Sequence, residues 1–129
     1  MSPTARTLKY FRDRGYVADV VECYNSFSKH RKDFIEIIDI IVFKDKVIGI
    51  QATTKGNARA RLKKAKESGH LHAWLKVAGF WVMGWYKEGN RWRVAITEIF
   101  LDKLGDLHEQ SIDTDENFNA AAAEAGAAS

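Results

Sequence analysis

Residues 34–43 read FIEIIDIIVF, a near-continuous apolar run broken only by Glu36 and Asp39. After Lys44-Asp45-Lys46 comes a second apolar run, VIGIQATT (47–54), with a single amide side chain, Gln51. A carboxylate in such surroundings costs free energy unless its charge is compensated, by a metal ion or by a cationic side chain. Asp39 is therefore either part of a functional site or a structural acid paired with a Lys or Arg.

The two runs must be strands for this chemistry to assemble, and the turn between them sets the register. A three-residue loop, 44–46, sets Phe43 opposite Val47, Ile41 opposite Gly49, Asp39 opposite Gln51 and Ile37 opposite Thr53. The other face is then wholly apolar: Ile38, Ile40, Val42, Ile48, Ile50 and Ala52. A two-residue loop would send Asp39 and Gln51 to opposite faces.

Elements on either side complete the frame. Ser2 and Pro3 are suited to open a helix over 3–14, which Gly15 stops. Residues 17–25 are rich in β-branched side chains and read as a strand, and 26–33 as a polar loop. Asn57 is placed to cap a helix over 58–68, whose narrow stripe Ala58, Leu62, Ala65 is surrounded by Arg59, Arg61, Lys63, Lys64 and Lys66. A short helix over 71–78 and a hairpin of 80–86 with 91–101 follow. Trp74, Trp81, Trp85 and Trp92 stand at core-like spacing. His70 and His72, with no cysteine or acid motif beside them, do not read as a zinc pair. The resulting order, helix, strand, hairpin, two helices, hairpin, is that of an α/β or α+β sandwich, a single domain over 1–113. Residues 114–129 are acidic and Ala-rich, read as a disordered tail.

Composition narrows the partner. The net charge of +3 conceals an asymmetry: residues 1–97 hold 19 Lys and Arg against 9 Asp and Glu, and residues 98–129 hold 1 against 8. A basic body suits a polyanion such as DNA, though it can also be an unspecialised surface or dock an acidic protein. The helix 58–68, through Arg59, Arg61, Lys63 and Lys66, is a candidate phosphate clamp, and Lys29, Arg31 and Lys32 form a second basic cluster. The lone Cys23 closes no disulfide within the chain, which suits a reducing, cytoplasmic setting. No apolar run is long enough for a bilayer, so no membrane role is expected. The apolar stretch 80–101 is a candidate homodimer interface.

Asp33-Phe34-Ile35-Glu36-Ile37-Ile38-Asp39, then Ile50-Gln51-Ala52-Thr53, then a basic helix, resemble the PD-(D/E)XK nucleases. The likeness is to small phage and bacterial members, in outline the Holliday-junction resolvase and VRR-type domains, and spans roughly residues 5–100. A group of these reads D-[LF]-x-G-x-x-D followed by V-Q-[VA]-T. The resemblance implies a restriction-endonuclease-like sandwich, a central mixed sheet flanked by helices, and metal-dependent hydrolysis of DNA. It also implies Mg²⁺ or Mn²⁺ held by Asp39 and Gln51, with Glu22 as the third acid. This chain departs from the pattern at three points: Thr53 stands where the signature has Lys, leaving Lys55 as the nearest substitute; Gln51 brings no charge to the ligand position; and Glu36 stands where related sequences have Gly.

Overall fold

The computed structural model describes residues 1–25 and 30–112. Lys29 and the expected tail 114–129 lie outside the described residues.

Ser2 opens the first helix, α1 (Pro3–Asp13), its hydroxyl accepting from the Ala5 N–H at 3.1 Å. The strands β1 (Val17–Val20), β4 (Ile40–Phe43), β5 (Val47–Thr54), β6 (Gly79–Glu88), β7 (Arg91–Leu101) and β8 (Leu107–Ile112) form one six-stranded sheet in the order β1-β4-β5-β6-β7-β8. A separate antiparallel ribbon joins β2 (Cys23–Asn25) to β3 (His30–Lys32). The sheet is mixed: β5 and β6 run parallel, linked through α2 (Lys55–Glu67) and α3 (Leu71–Leu75), and every other neighbouring pair is antiparallel.

Helix α1 covers one face of the sheet and α2 with α3 the other, giving three layers. Phe11 of α1 packs in one layer with Ile40, Val42, Ile48, Ile50, Met83 and Trp85 of the sheet. Leu62 of α2 and Leu71 of α3 pack in the other layer with Ile38, Phe80, Val82 and Ile99. Strand β5 is inside the sheet and buried on both faces, which is why it is apolar almost throughout. Gly84 lets α2 settle on β6: a Cβ there would come within 3.0 Å of the Lys55 Cα.

Several sequence expectations change. The expected strand 17–25 is interrupted at Val21–Glu22, and part of the expected loop 26–33 is β3. The expected strand 34–43 is extended only from Ile40; residues 34–38 reverse direction instead, so Ile37 does not face Thr53. Helix α2 starts at Lys55 with Thr54 as its N-cap, and Asn57 lies inside it. Strand β8, an edge strand of alternating exposure that lacks a strong apolar signature, was not anticipated. The apolar side chains of 80–101 that suggested a dimer interface lie largely in the core, among them Trp81, Met83, Trp85, Val94 and Ile96. Among the described residues no helix is long and apolar enough to cross a membrane.

Candidate functional site

The three-residue loop is the one observed, with Phe43 opposite Val47 and Ile40 opposite Ile50. One step further the Asp39 N–H donates to the Ile50 carbonyl at 3.0 Å, which sets the Asp39 side chain beside Gln51. The Gln51 amide donates to Asp39 Oδ2 at 3.1 Å, and the Ala52 N–H reaches both carboxylate oxygens at 3.2 and 3.3 Å. Asp39 is 4% exposed and Gln51 5%. Among the described residues no Lys or Arg forms an ion pair with Asp39, so its charge meets dipoles and no full cation. Burial is accordingly the main influence on its carboxyl, pushing the pKa up to about 7; the Ala52 N–H opposes this, and the charges of Asp33 and Glu22 add to it.

Asp33 is brought in by a reversal of the chain. Phe34 and Ile38 form an antiparallel bridge, with the Phe34 N–H 2.7 Å from the Ile38 carbonyl and the Ile38 N–H 3.0 Å from the Phe34 carbonyl. The residues flanking that bridge, Asp33 and Asp39, are thereby turned toward each other. The reversal is made with positive φ at two consecutive non-glycine residues, 45° at Ile35 and 71° at Glu36. A β-branched residue in that region is strained, and such strain gathers at functional sites. Gln51 is also near enough to Asp33 for its amide to favour the Asp33 carboxylate, so it lies between the two acids. Asp33 is raised chiefly by burial and further by Glu22; the Gln51 amide and the charges of Lys64 and Arg61 oppose the rise.

Asp39 and Gln51, singled out from sequence, are thus in contact; Glu22 acts on Asp39 and Asp33 through its charge without converging with them. Asp33 belongs with them but received no role from sequence, although it is the first residue of the matched pattern; its signal was the return of the chain after six residues.

The basic helix divides into two faces. Arg61 and Lys64, three residues apart, line a cleft of about 390 Å³ with Lys32, Asp33 and Glu36. Arg59, Lys63 and Lys66, at intervals of four and three, line another with Glu67 and Glu109 of β8. Arg59 Nη1 lies 3.0 and 2.9 Å from the two Glu109 oxygens and Lys66 Nζ 2.6 Å from one of them. Of the expected clamp, Arg61 faces the acids, while Arg59 and Lys66 are engaged on the far side. Lys64 was missed; its spacing from Arg61 was the available clue. Of the second basic cluster, Arg31 and Lys32 fall in β3.

Lys55 is not drawn to the acids. Its ammonium sits 4.2 Å from the centre of the Tyr86 ring, and Tyr86 lies two residues beyond Gly84, the partner of Thr53. Thr53 itself is 5% exposed. Sequence placed the tryptophans in the core, and Trp81 and Trp85 are there; Trp92 is 46% exposed, with the Arg6 guanidinium stacked 3.5 Å above it.

The donor set is chemically suited to a hard divalent cation: carboxylates, an amide and a local excess of negative charge. Among the described residues no three His, Cys, Asp or Glu side chains converge as a ready-made cage. Mg²⁺ is commonly held by one or two carboxylates with water and substrate phosphate, a requirement that Asp39 and Asp33 can meet. Comparison with family models, with curated proteins and with solved structures gave no match.

Proposed function

We propose that this chain is a DNA-binding domain of the restriction-endonuclease-like kind that hydrolyses phosphodiester bonds with Mg²⁺ or Mn²⁺. The observation that carries the reading is Asp39, a buried carboxylate without a paired cation among the described residues, its pKa raised by burial and by the charges of Asp33 and Glu22, with Asp33 in a cleft shared with Arg61 and Lys64 of α2. A purely structural acid would gain from an ion pair, and the Lys and Arg side chains nearby act instead on Asp33, at the rim. Asp39 and Asp33 would hold the ion, with Gln51 positioning both carboxylates. When bound, such an ion stabilises the charge that builds on a phosphodiester under attack by water. Arg61 and Lys64 orient the phosphate beside the acids. Hydrolysis adds the water oxygen to phosphorus, breaks one ester P–O bond and passes a proton to the departing oxygen.

A second reading, binding without cleavage, is favoured by one feature: Thr53 occupies the signature lysine's position, and Lys55 is stacked on Tyr86. One experiment separates the two. Linear, branched and single-stranded DNA are incubated with the protein and Mg²⁺ or Mn²⁺. Cleavage that disappears with chelator and in Asp39→Asn supports the enzyme. Salt-dependent binding without cleavage under either metal supports the silent module. No binding of any substrate at low salt removes both.

A further inference from the structure

The second face of α2 is organised around a carboxylate. Glu109 receives two contacts from Arg59 and one from Lys66, all at 3.0 Å or less. Lys63, between them in the same row, has no partner among the described residues. The cations therefore converge on a point where an oxyanion is already held. Arg59 keeps 74% of its side chain in solvent and Glu109 only 22%, so the guanidinium can turn outward while the acid stays at the base of the cleft. Arg59 reaches both Glu109 oxygens through Nη1 alone, so the rest of its guanidinium fork, the group with which arginine takes phosphate, is not used on this carboxylate.

We propose that Arg59, Lys63 and Lys66 form a seat for a backbone phosphate of DNA, and that Glu109 occupies this seat in the free protein as an internal competitor. The inference rests on the DNA-binding reading above and adds to it a second contact, on the side of α2 away from the acids. Arg59, Lys63 and Lys66 share the cleft with Glu67 and Glu109, leaving a balance of one positive charge. Loss of the Glu109 charge raises that balance to two and frees two donors.

Glu109→Gln is therefore expected to bind a duplex about 3- to 10-fold more tightly, with a salt dependence steeper by about one to two counterions. Inorganic phosphate should raise its melting temperature more than that of the unsubstituted protein, since a ligand held only by the folded state stabilises it. Glu67→Gln removes the same charge from the same cleft without touching Arg59 or Lys66, and should change little. The competition is also readable with Glu109 intact. Lys63→Ala then weakens binding more than Arg59→Ala, because Arg59 is already engaged, and in the Glu109→Gln background the two losses become comparable. Unchanged affinity of Glu109→Gln with no added response to phosphate overturns the seat and leaves the DNA reading standing. An equal gain from Glu67→Gln also overturns it, since bulk charge then accounts for the effect. A phosphate response confined to Glu109→Gln, in a protein that binds no DNA, keeps the seat and overturns the DNA reading.

Discussion

Strand β5 serves two different environments at alternate residues. Toward α1 it presents Ile48, Ile50 and Ala52, all buried in an apolar layer. Toward α2 it presents Gly49, Gln51 and Thr53, and the last two are among the few buried polar residues of the described chain, together with Asp39 and Thr7. The first face is made of side chains that gain by leaving water. The second holds a carboxylate whose burial opposes its ionisation, with donors arranged to hold it in place. Both sides of the sheet bury apolar side chains, but on β5 itself the α1 face is wholly apolar while the α2 face keeps an ionisable group desolvated.

The sharpest way to break this contrast is to make the faces alike. Ile50 is fully buried on the α1 side, next to Gln51 in sequence but away from the donors that serve Asp39. Ile50→Asp should cost about 4 kcal/mol or more, because the new carboxylate finds no donor set. Denaturant titration checks this; a stable, cooperative variant would show that acids are tolerated equally on either face.

The reverse change is Asp39→Asn, which keeps an oxygen for the Ala52 N–H and removes the ionisation. The folded carboxyl has a pKa near 7, above its ordinary range, so the folded protein holds this proton more tightly than the unfolded chain. The stabilisation from that proton is complete at pH below the ordinary carboxylate range and is lost as pH rises through about 7. In chelator, Asp39→Asn should therefore melt close to the unsubstituted protein near pH 4 and about 5 °C or more above it at pH 8. A gap that does not widen with pH would mean that Asp39 is ionised at little cost.

Much of this contrast was legible in the sequence because it rests on period-two alternation. Of the two loop lengths that the sequence allowed, the three-residue one, 44–46, is found, and with it the pairing of Asp39 with Gln51 and the apolar face opposite. The stretch before Asp39 was not legible. Residues 34–38 are as apolar as a strand, yet the chain turns there on two left-handed residues that are not glycine, and β-branched composition argues against such a turn. Asp33 was missed for the same reason. The division of α2 was hidden differently: its charges were plain, but the acid that draws Arg59 and Lys66 lies on β8, about 50 residues away along the chain. Helical spacing gives the rows and not what each row faces.

The smallest expected effect bears on that turn. Glu36 is exposed and carries φ of 71°, and the nuclease pattern has glycine at this position. A left-handed conformation costs an L-residue about 1–2 kcal/mol, against which glycine loses more freedom on folding, by roughly 0.5–1 kcal/mol. Glu36→Gly should therefore stabilise the protein by about 0.5–1 kcal/mol. The substitution also removes a negative charge from the cleft of Asp33, Arg61 and Lys64. Glu36→Ala removes the same charge while keeping Cβ, so the difference in melting temperature between the glycine and alanine variants isolates the backbone. Glycine above alanine by a few degrees means that the reversal holding Asp33 against Asp39 is strained at Glu36. Alanine equal to glycine would mean that the chain relaxes out of the left-handed region at little cost, and the strain would then have no part in bringing the two acids together.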